Sequence, residues 1–436
     1  MRFFVLLSAY YTCAFWTLLN PFFGLLFFAH ITILKPENLL WEQRAFGRLH
    51  LITGILMLLG YLVGLNKRHY FSQTSISPFP SDFQKKSLLI FLSLVAWFLL
   101  ASIFAEFSVQ SSLNQTLEVI KIFLFCFLFS KLVNSEHRIG LYVWVLSISF
   151  GLLSLWVTQQ GLLGGAARVE SLVVGGSNFL GAELVLIIPL ILFKVLDQRL
   201  SKTSRRIFGG CGLVSALAVI CSGSRGAIIG ACVALFVLLL NLKQRAKAIV
   251  GFTVMIALIY PLLSDFFLHR MSSIFADKDQ RDVSAASRPV MWRIALRIWE
   301  DHPILGVGLQ NFSPVKETYV DRVRDIVPEE MFADIFGVTK FTHGLYPGIM
   351  AETGSVGLVL FLMLLCRAAF HRFPPFEDEA RQSLSLQAKG AQAGLIGFSV
   401  AAVFGDFQYI DIFYWQVFFV GAVENAIRDL EQKGAP

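Results

Sequence analysis

Runs of about 18 or more consecutive apolar residues recur along the chain, and they constrain its fold more than any other feature. Each run is long enough to cross a bilayer as a helix, since about 20 residues span the hydrocarbon core. Hydrophobic residues make up 56% of the chain and charged residues only 15%, whereas a soluble domain has about 25% charged residues. A transmembrane barrel would need strands of alternating polarity, which the sequence lacks. We therefore predict an all-α, polytopic helical membrane protein.

The apolar runs predict about twelve transmembrane helices. The first run, residues 3–34, is too long for one straight crossing, and Asn20-Pro21 interrupts it. It forms either one kinked helix or a short hairpin, and a hairpin brings the count to about thirteen. Met1-Arg2 resembles the start of a signal peptide, but no small-residue cleavage site follows, so we interpret the run as a retained helix. The other predicted spans are 50–65, 87–105, 116–133, 139–158, 179–197, 207–221, 225–242, 247–264, 346–367, 387–404 and 409–427.

Basic residues cluster in alternate loops between these spans, and the positive-inside rule assigns those loops to the cytoplasm. The net charge of +7 is thereby explained by topology rather than by nucleic-acid binding. We expect N-terminal transmembrane helices over 1–264, a long periplasmic loop over 265–342 and C-terminal transmembrane helices over 343–436. The shorter connections on the periplasmic side are 106–115, 159–178, the turn around Ser224 and the turn 406–411.

The long loop contains the stretch RPVMWRIALRIWEDHP, Arg288 to Pro303. Pro289 suits the first turn of a helix, and Pro303 lies just beyond its end. Two tryptophans and other apolar residues share one face, while Arg293 and Arg297 share another. This pattern predicts an amphipathic helix lying on the outer membrane surface. The alternative is an ordinary helix that packs its apolar face on protein.

Two arginines stand at predicted helix N-termini on the periplasmic side. Ser224 is suited to cap a helix that places Arg225 in its first turn, and Arg288 immediately precedes Pro289. A cation at this end of a helix is unfavourable unless an anion is bound there by the guanidinium and the free N–H groups. Two such positions on one face indicate a diphosphate site. The alternatives are an arginine that snorkels to headgroup phosphate and a solvated loop arginine.

His343 stands where the long loop re-enters the membrane, with Thr342 as a possible helix cap. Neighbouring cations would favour the neutral imidazole, which can accept a proton. The alternative is a structural, hydrogen-bonding histidine. Glu352 lies about 13 Å further along the helix axis, and a carboxylate at that depth is either paired with a basic or polar group or functional. Further candidates for the site are Arg293, Glu352 and Asp406.

The sequence predicts neither a metal nor an organic cofactor. The six cysteines lie in apolar segments without metal-ligand spacing, and the long loop contains none, so no disulfide is expected there. Asp277 and Asp279 form a DxD pair of the kind that holds a metal in some glycosyltransferases, but a solvated charged loop is the preferred interpretation. Gly306-Val-Gly308 is too short for a dinucleotide fingerprint.

Three stretches resemble motifs of the O-antigen ligase family, within the wider superfamily of O-antigen ligases and polymerases of the bacterial envelope. They are SRGA at Ser224–Ala227, the stretch Ser287–Phe312 with an Arg–Trp–helix–Pro–Gly-x-Gly pattern, and THGLYPGIMAETGSVGL at Thr342–Leu358. Gly344 stands where the family usually has Asn after the His. A shorter match, Ile33–Trp41, resembles a motif in a subgroup linked to exopolysaccharide and exosortase systems.

The resemblance implies an inverting, metal-independent glycosyltransferase of the bacterial inner membrane, with an active site that faces the periplasm. Arg225 and Arg288 would hold the diphosphate of an undecaprenyl-linked glycan. His343 would accept a proton from the acceptor hydroxyl, or orient it. The implied partners are the lipid-linked glycan donor, a glycan acceptor and membrane lipids, without nucleic acid.

We expect transfer of O-antigen onto lipid A–core. The alternatives of the same chemistry are a polymerase of O-antigen or exopolysaccharide and a protein O-glycosylation ligase. The alternative from another class is a polysaccharide transporter or flippase. Transporters often carry internal repeats and place polar groups at the bilayer midplane, whereas this sequence shows no repeat and its candidate residues cluster on one side.

Overall fold

The computed structural model describes residues 2–36, 48–66, 81–163, 176–241, 253, 283–325 and 327–434. Within these residues the chain is helical and contains no strand, which confirms the predicted all-α class. In the same part of the chain, six helices are long and apolar enough to cross a membrane, and three shorter apolar helices accompany them. The chain is a multi-pass membrane protein. The total number of spans stays a prediction, because the predicted span 247–264 lies outside the described residues.

Six of the described helices begin after a residue whose side chain caps them, namely Asn20, Ser81, Ser108, Ser201, Ser224 and Asp378. Three short 3₁₀ turns lie between them, at Glu317–Tyr319, Glu329–Met331 and Ala402–Phe404. In chain order the helices are α1 (Arg2–Leu19), α2 (Pro21–Leu34), α3 (Leu49–Asn66), α4 (Asp82–Ile103), α5 (Val109–Leu132), α6 (Glu136–Leu163), α7 (Ser177–Leu196), α8 (Lys202–Cys221), α9 (Arg225–Leu240), α10 (Val283–Asp301), α11 (Phe312–Lys316), α12 (Phe332–Ile335), α13 (Leu345–Ala369), α14 (Glu379–Ala401) and α15 (Asp411–Gly434).

The first apolar run forms a helical hairpin, which decides between the two alternatives for residues 3–34. Asn20 leaves the helical conformation at φ −137°, and its side chain accepts a hydrogen bond of 3.1 Å from the first turn of α2. Pro21 then begins α2, where the N–H that proline lacks is not needed. The rings of Tyr10 and Phe27 lie 5.8 Å apart, so α1 and α2 run side by side.

α14 packs closely along α7 and α9 inside the bundle. Small residues allow this approach: a Cβ on Gly394 would lie 2.2 Å from the Leu186 carbonyl oxygen, and one on Gly230 would lie 2.6 Å from the Gly397 oxygen. The predicted spans 387–404 and 409–427 correspond to α14 and α15. Neither helix is among the six that length and composition alone identify as spans in the described chain.

The predicted start of the amphipathic helix is wrong, because α10 begins at Val283 rather than at Pro289. Pro289 removes one hydrogen bond inside the helix. Burial of the following apolar face offsets that loss, since Met291, Ile294 and Ile298 are all fully buried. Arg288 therefore lies within α10, and the predicted coincidence of its guanidinium with a helix N-terminus is also wrong.

α10 packs its apolar face on protein, which was the alternative to a helix lying on the membrane surface. Met291, Ile294 and Ile298 form a small core with Val307 and Phe312, together with other residues of the long loop. Leu296, one of the apolar residues of the predicted membrane-facing side, is 43% exposed. Contact of this helix with lipid stays a prediction.

Candidate active site

A left-handed turn at His343 leads into α13. His343 has φ +51°, and α13 begins at Leu345 with Gly344 as its N-cap residue. The prediction that Thr342 caps this helix is therefore wrong. The Thr342 hydroxyl instead contacts the Asp406 carboxylate and lies 3.0 Å from the Gly344 carbonyl oxygen.

The Asp406 carboxylate holds this turn from the segment between α14 and α15. It accepts a hydrogen bond of 2.8 Å from the His343 backbone N–H, and further hydrogen bonds from Gly344 N–H and the Thr342 hydroxyl. Burial raises the pKa of Asp406, and these hydrogen bonds together with the nearby His343 oppose the rise. Asp406 thus fixes the backbone that carries the candidate base.

The His343 imidazole is held in its neutral form. Burial lowers its pKa, Asp406 opposes this shift, and the nearby cations Arg288 and Lys340 lower the pKa further. A histidine whose pKa lies below its usual value of about 6.5 is unprotonated at neutral pH. This is the protonation state that can accept a proton from a hydroxyl.

Arg288 and Gly226, the residue that follows Arg225, both lie close to Phe404. Ser224 caps α9 as predicted, because its hydroxyl accepts a 3.3 Å hydrogen bond from an N–H in the first turn, and Arg225 is the first residue of α9. A Cβ on the adjacent Gly226 would lie 2.9 Å from the Phe404 Cβ. The Arg288 guanidinium carbon lies 5.9 Å from the Phe404 ring centre. Both arginines are half-buried, and Arg288 approaches the segment that continues into Asp406.

Arg293, a further predicted site residue, lies elsewhere. It is exposed on α10, and within the described residues its side chain makes no hydrogen bond or ion pair. It does not line the cavity described below.

The Gly306-Val-Gly308 motif inserts into a break in α13. Gly354 interrupts this helix with φ +66°, and a Cβ there would lie 1.9 Å from the Ile304 carbonyl oxygen. The loop after α10 pairs with the exposed backbone of this break. Val307 N–H donates to the Ala351 carbonyl oxygen at 3.0 Å, and Gly308 N–H donates to the Glu352 carbonyl oxygen at 2.9 Å. In the opposite direction, Ser355 N–H donates to the Pro303 carbonyl oxygen at 2.8 Å. The glycines are needed because backbone meets backbone at this place. The motif is thus structural, and it joins α10 to α13.

The Glu352 side chain is buried, with 4% exposure, and is paired with polar groups. Its carboxylate accepts hydrogen bonds from the Tyr409 hydroxyl at 3.1 Å and from the Phe312 backbone N–H at 3.4 Å. The structure therefore shows the polar pairing that was one of the two interpretations of this carboxylate.

A cavity of about 260 Å³ lies between the start of α7, the His343 turn and the segment before α15. His343, Asp406 and Glu352 all line it. Sequence reasoning missed Gln408 and Tyr409, although the polar run GDFQYID between two apolar segments was a signal for them. The other lining residues are 176–179, Gln310, Phe312, Phe341, Thr342, Gly348, Gly405 and Phe407.

No metal site is formed within the described residues, since no three His, Cys, Asp or Glu side chains come together there in a way that could hold an ion. The DxD pair, Asp277 and Asp279, lies outside the described residues.

Two parts of the chain match models of known protein families. Residues 210–362 match the family model described as O-antigen ligase, and this match contains Arg225, Arg288, His343 and Glu352. Residues 1–197 match a family of unknown function. No curated protein matches the chain.

In a helical membrane protein, this match supports the class of O-antigen ligase and polymerase-type glycosyltransferases. This match contains all three motifs, which confirms their resemblance to the O-antigen ligase family.

Proposed function

We propose that the protein transfers a glycan from undecaprenyl diphosphate to an acceptor hydroxyl at the periplasmic face of the bacterial inner membrane. One observation carries the proposal: a neutral His343, held by Asp406, lies near Arg288 at the edge of a cavity in a chain that matches the O-antigen ligase family model. A base and a cation side by side suit a reaction that removes a proton from one substrate and develops negative charge on the other.

In the proposed reaction the acceptor oxygen attacks the anomeric carbon of the lipid-linked sugar. The bond from that carbon to the diphosphate oxygen breaks, and the anomeric configuration inverts. The acceptor proton passes to His343, and undecaprenyl diphosphate leaves with the bonding electron pair. Arg225 and Arg288 stabilise the charge on the leaving diphosphate by charge-assisted hydrogen bonds. No metal is required if the two guanidinium groups supply this positive charge, so activity in the presence of a chelator is expected.

The acceptor we propose is lipid A–core, with O-antigen as the glycan transferred. The same geometry serves a polymerase of O-antigen or exopolysaccharide, for which the acceptor is a second lipid-linked glycan. It also serves a protein O-glycosylation ligase, for which the acceptor is a protein hydroxyl.

A transporter or flippase is the remaining alternative. Transporters hold their substrates near the bilayer midplane on broken helices. Here the described candidate residues gather where connecting segments meet: residues before α7, the loop after α10 and the turn before α15 all line the cavity. This placement favours transfer over transport.

The deciding experiment is transfer by the purified protein in detergent, with products resolved on a gel. Undecaprenyl-diphosphate glycan is supplied first with lipid A–core and then alone. Glycan attached to lipid A–core supports the ligase proposal. A ladder of lengthened lipid-linked glycan from the donor alone would instead identify a polymerase, and the absence of any transfer product with either substrate set would contradict the proposal.

A further inference from the structure

An open groove adjoins the cavity at the candidate active site. Its volume is about 790 Å³, about three times the 260 Å³ of the cavity. Gln310 and Phe341 line both spaces. Neither side chain is buried, since Gln310 is half-buried and Phe341 is 38% exposed. The groove and the cavity therefore meet beside the turn that carries His343.

One wall of the groove is a polar stripe on α5. The α5 residues that line the groove have the spacing i, i+3, i+4 and i+7 of one helix face, namely Ser111, Asn114, Gln115 and Glu118. α5 is long and apolar enough to span a membrane, and polar residues on such a helix face protein or water rather than lipid. An aqueous groove explains why this stripe lies at the end of α5 that belongs to the predicted periplasmic side.

The opposite wall, formed by α11 and the segment that leads to α13, is held in place by a buried cation. Lys316 is fully buried, contacts Glu317 and donates a hydrogen bond of 2.9 Å to the Val338 carbonyl oxygen. The Lys340 N–H donates to the Ser313 hydroxyl at 3.1 Å. These contacts form the wall before any ligand binds, so little of the binding free energy is lost to ordering it.

The lining of the groove offers hydrogen bonds but no positive charge. None of the lining residues is Lys, Arg or His, and each of the two carboxylates is paired with a lysine: Glu118 with Lys121 at 2.6 Å, and Glu317 with Lys316. Phosphate is bound best by cationic donors, and a lipid tail needs an apolar surface. Side-chain hydroxyls and amides suit the hydroxyl groups of an uncharged glycan, and they belong to Ser111, Asn114, Gln115, Gln310, Ser313 and Thr339.

The groove is large enough for more than one sugar ring. Its volume of about 790 Å³ corresponds to on the order of 25 waters at about 30 Å³ each, and the covalently joined atoms of a sugar pack more densely than separate waters. Exposed residues on both walls, among them Asn114 and Thr339, leave the groove open to the outside. A glycan chain can therefore continue beyond it.

We propose that this groove binds the uncharged sugars next to the attacking hydroxyl of the glycan acceptor. Gln115 is then a specificity-determining residue for the acceptor, because its amide stands in the middle of the polar stripe. The inference rests on the proposed function and assigns a subsite to the second substrate of that reaction.

The acceptor rather than the donor is assigned to the groove because of the route by which each reaches the site. In a displacement with inversion, the nucleophile approaches the anomeric carbon from the side opposite the leaving group. Arg288, which is proposed to hold the leaving diphosphate, lies against Phe404, whereas the groove reaches the cavity past Gln310 and Phe341. The donor glycan also contains sugars, so the experiment has an arm for each substrate.

The test measures Kd for two probes on the purified full-length protein, in a detergent without a sugar headgroup. One probe is the core oligosaccharide released from lipid A–core, and the other is undecaprenyl-diphosphate glycan. We expect Gln115→Ala to raise Kd for the oligosaccharide about three- to ten-fold, as loss of one neutral hydrogen bond predicts, and to leave Kd for the donor unchanged. In transfer assays KM for lipid A–core should rise by a similar factor while kcat stays the same, a split that a general loss of folding does not produce.

Thr339→Trp is the second variant. Thr339 is exposed at the groove, so a large side chain there fills the groove without entering the protein core, and Kd for the oligosaccharide should rise at least as much. Gln382→Ala is the matched control, because Gln382 is also a half-buried helical glutamine but lies in the first turn of α14 and lines neither the groove nor the cavity. It should change neither Kd. Melting temperatures are measured for all variants.

The outcomes separate this inference from the function on which it rests. If the wild type transfers glycan but does not bind the oligosaccharide, or if both groove variants leave its Kd unchanged, the inference is overturned while the proposed function stands. A rise in Kd for the donor, alone or equal to that for the oligosaccharide, also overturns the assignment to the acceptor. If the wild type forms no transfer product from any substrate set, the proposed function is contradicted and the inference falls with it.

Discussion

The Asp406 carboxylate accepts a 2.8 Å hydrogen bond from the backbone N–H of His343, a residue 63 positions earlier in the chain. This contact ties the turn before α15 to the start of α13. It also places a negative charge beside the imidazole, which raises the pKa of His343 against the larger lowering effect of burial. The position and the protonation state of the proposed base thus depend on one aspartate.

The pH profile of transfer tests this relationship. Protonation of His343 removes its ability to accept a proton, so the rate falls as pH decreases. Because burial lowers the pKa of His343, the midpoint of the fall should lie below the usual histidine value of about 6.5. In Asp406→Asn the stabilising charge on the imidazolium is lost, and the midpoint should move to still lower pH.

Transfer rates of the wild type and Asp406→Asn are measured over a pH range that contains both midpoints, and melting temperatures are determined in parallel. The maximal rate should also drop, because the neutral amide no longer offers two acceptor oxygens to the His343 turn. A midpoint that stays in place or moves to higher pH in the variant would contradict the assignment of His343 as the titrating base.

The two arginines should be required for transfer. Arg225→Ala and Arg288→Ala each remove a cation that stabilises the leaving diphosphate, and we expect each to lower the transfer rate about 10²- to 10³-fold, as for loss of a transition-state donor. Arg297→Ala is the control, since Arg297 is an exposed residue of α10 that pairs with Glu300 at 3.0 Å. Full transfer activity in either alanine variant, at equal amounts of folded protein, would remove that arginine from the site.

Gly354→Ala should disrupt the insertion of the loop after α10 into α13. The glycine has φ +66°, and an added Cβ would lie 1.9 Å from the Ile304 carbonyl oxygen. The left-handed conformation and the overlap together should lower the free energy of unfolding by at least about 2 kcal/mol. Thermal unfolding in detergent measures the effect.

Gly210→Ala provides the comparison for that loss. Gly210 lies within α8, and a Cβ there would meet nothing within 4 Å. Gly210→Ala should leave the protein as stable as the wild type or slightly more stable, because alanine favours the helix. Equal melting temperatures for the two variants would contradict the described pairing between the loop and the helix break.

Gly344→Asn restores the residue that the family usually has, and we expect it to be harmful here. A Cβ on Gly344 would lie 2.7 Å from Trp292 Nε1 and 3.0 Å from Pro347 Cγ. Trp292→Ala should relieve this crowding, so the two substitutions should be non-additive by about 1 kcal/mol or more in stability. A double-mutant cycle of thermal unfolding measures the coupling, and simple additivity would show that Trp292 does not occupy this space.

Local chemistry in the sequence predicted the features that depend on neighbouring residues. Asn20-Pro21 broke the first apolar run, and Ser224 caps α9 with Arg225 in the first turn. The failures came from contacts distant in sequence. α10 begins before Pro289 and continues through it into the buried face of Met291, and the Thr342 hydroxyl contacts Asp406 instead of capping α13. The polar run GDFQYID was a signal for Gln408, but its place at the cavity depends on how the start of α7, α13 and the segment before α15 come together.

The central claim is that His343 accepts the acceptor's proton, and single-turnover transfer by the purified protein tests it most directly. Undecaprenyl-diphosphate glycan and acceptor are mixed with wild type or with His343→Gln, and donor binding is measured on the same preparations. We predict that the variant binds donor as the wild type does while transfer slows about 10²- to 10⁴-fold. Transfer by His343→Gln at the wild-type rate would contradict the account.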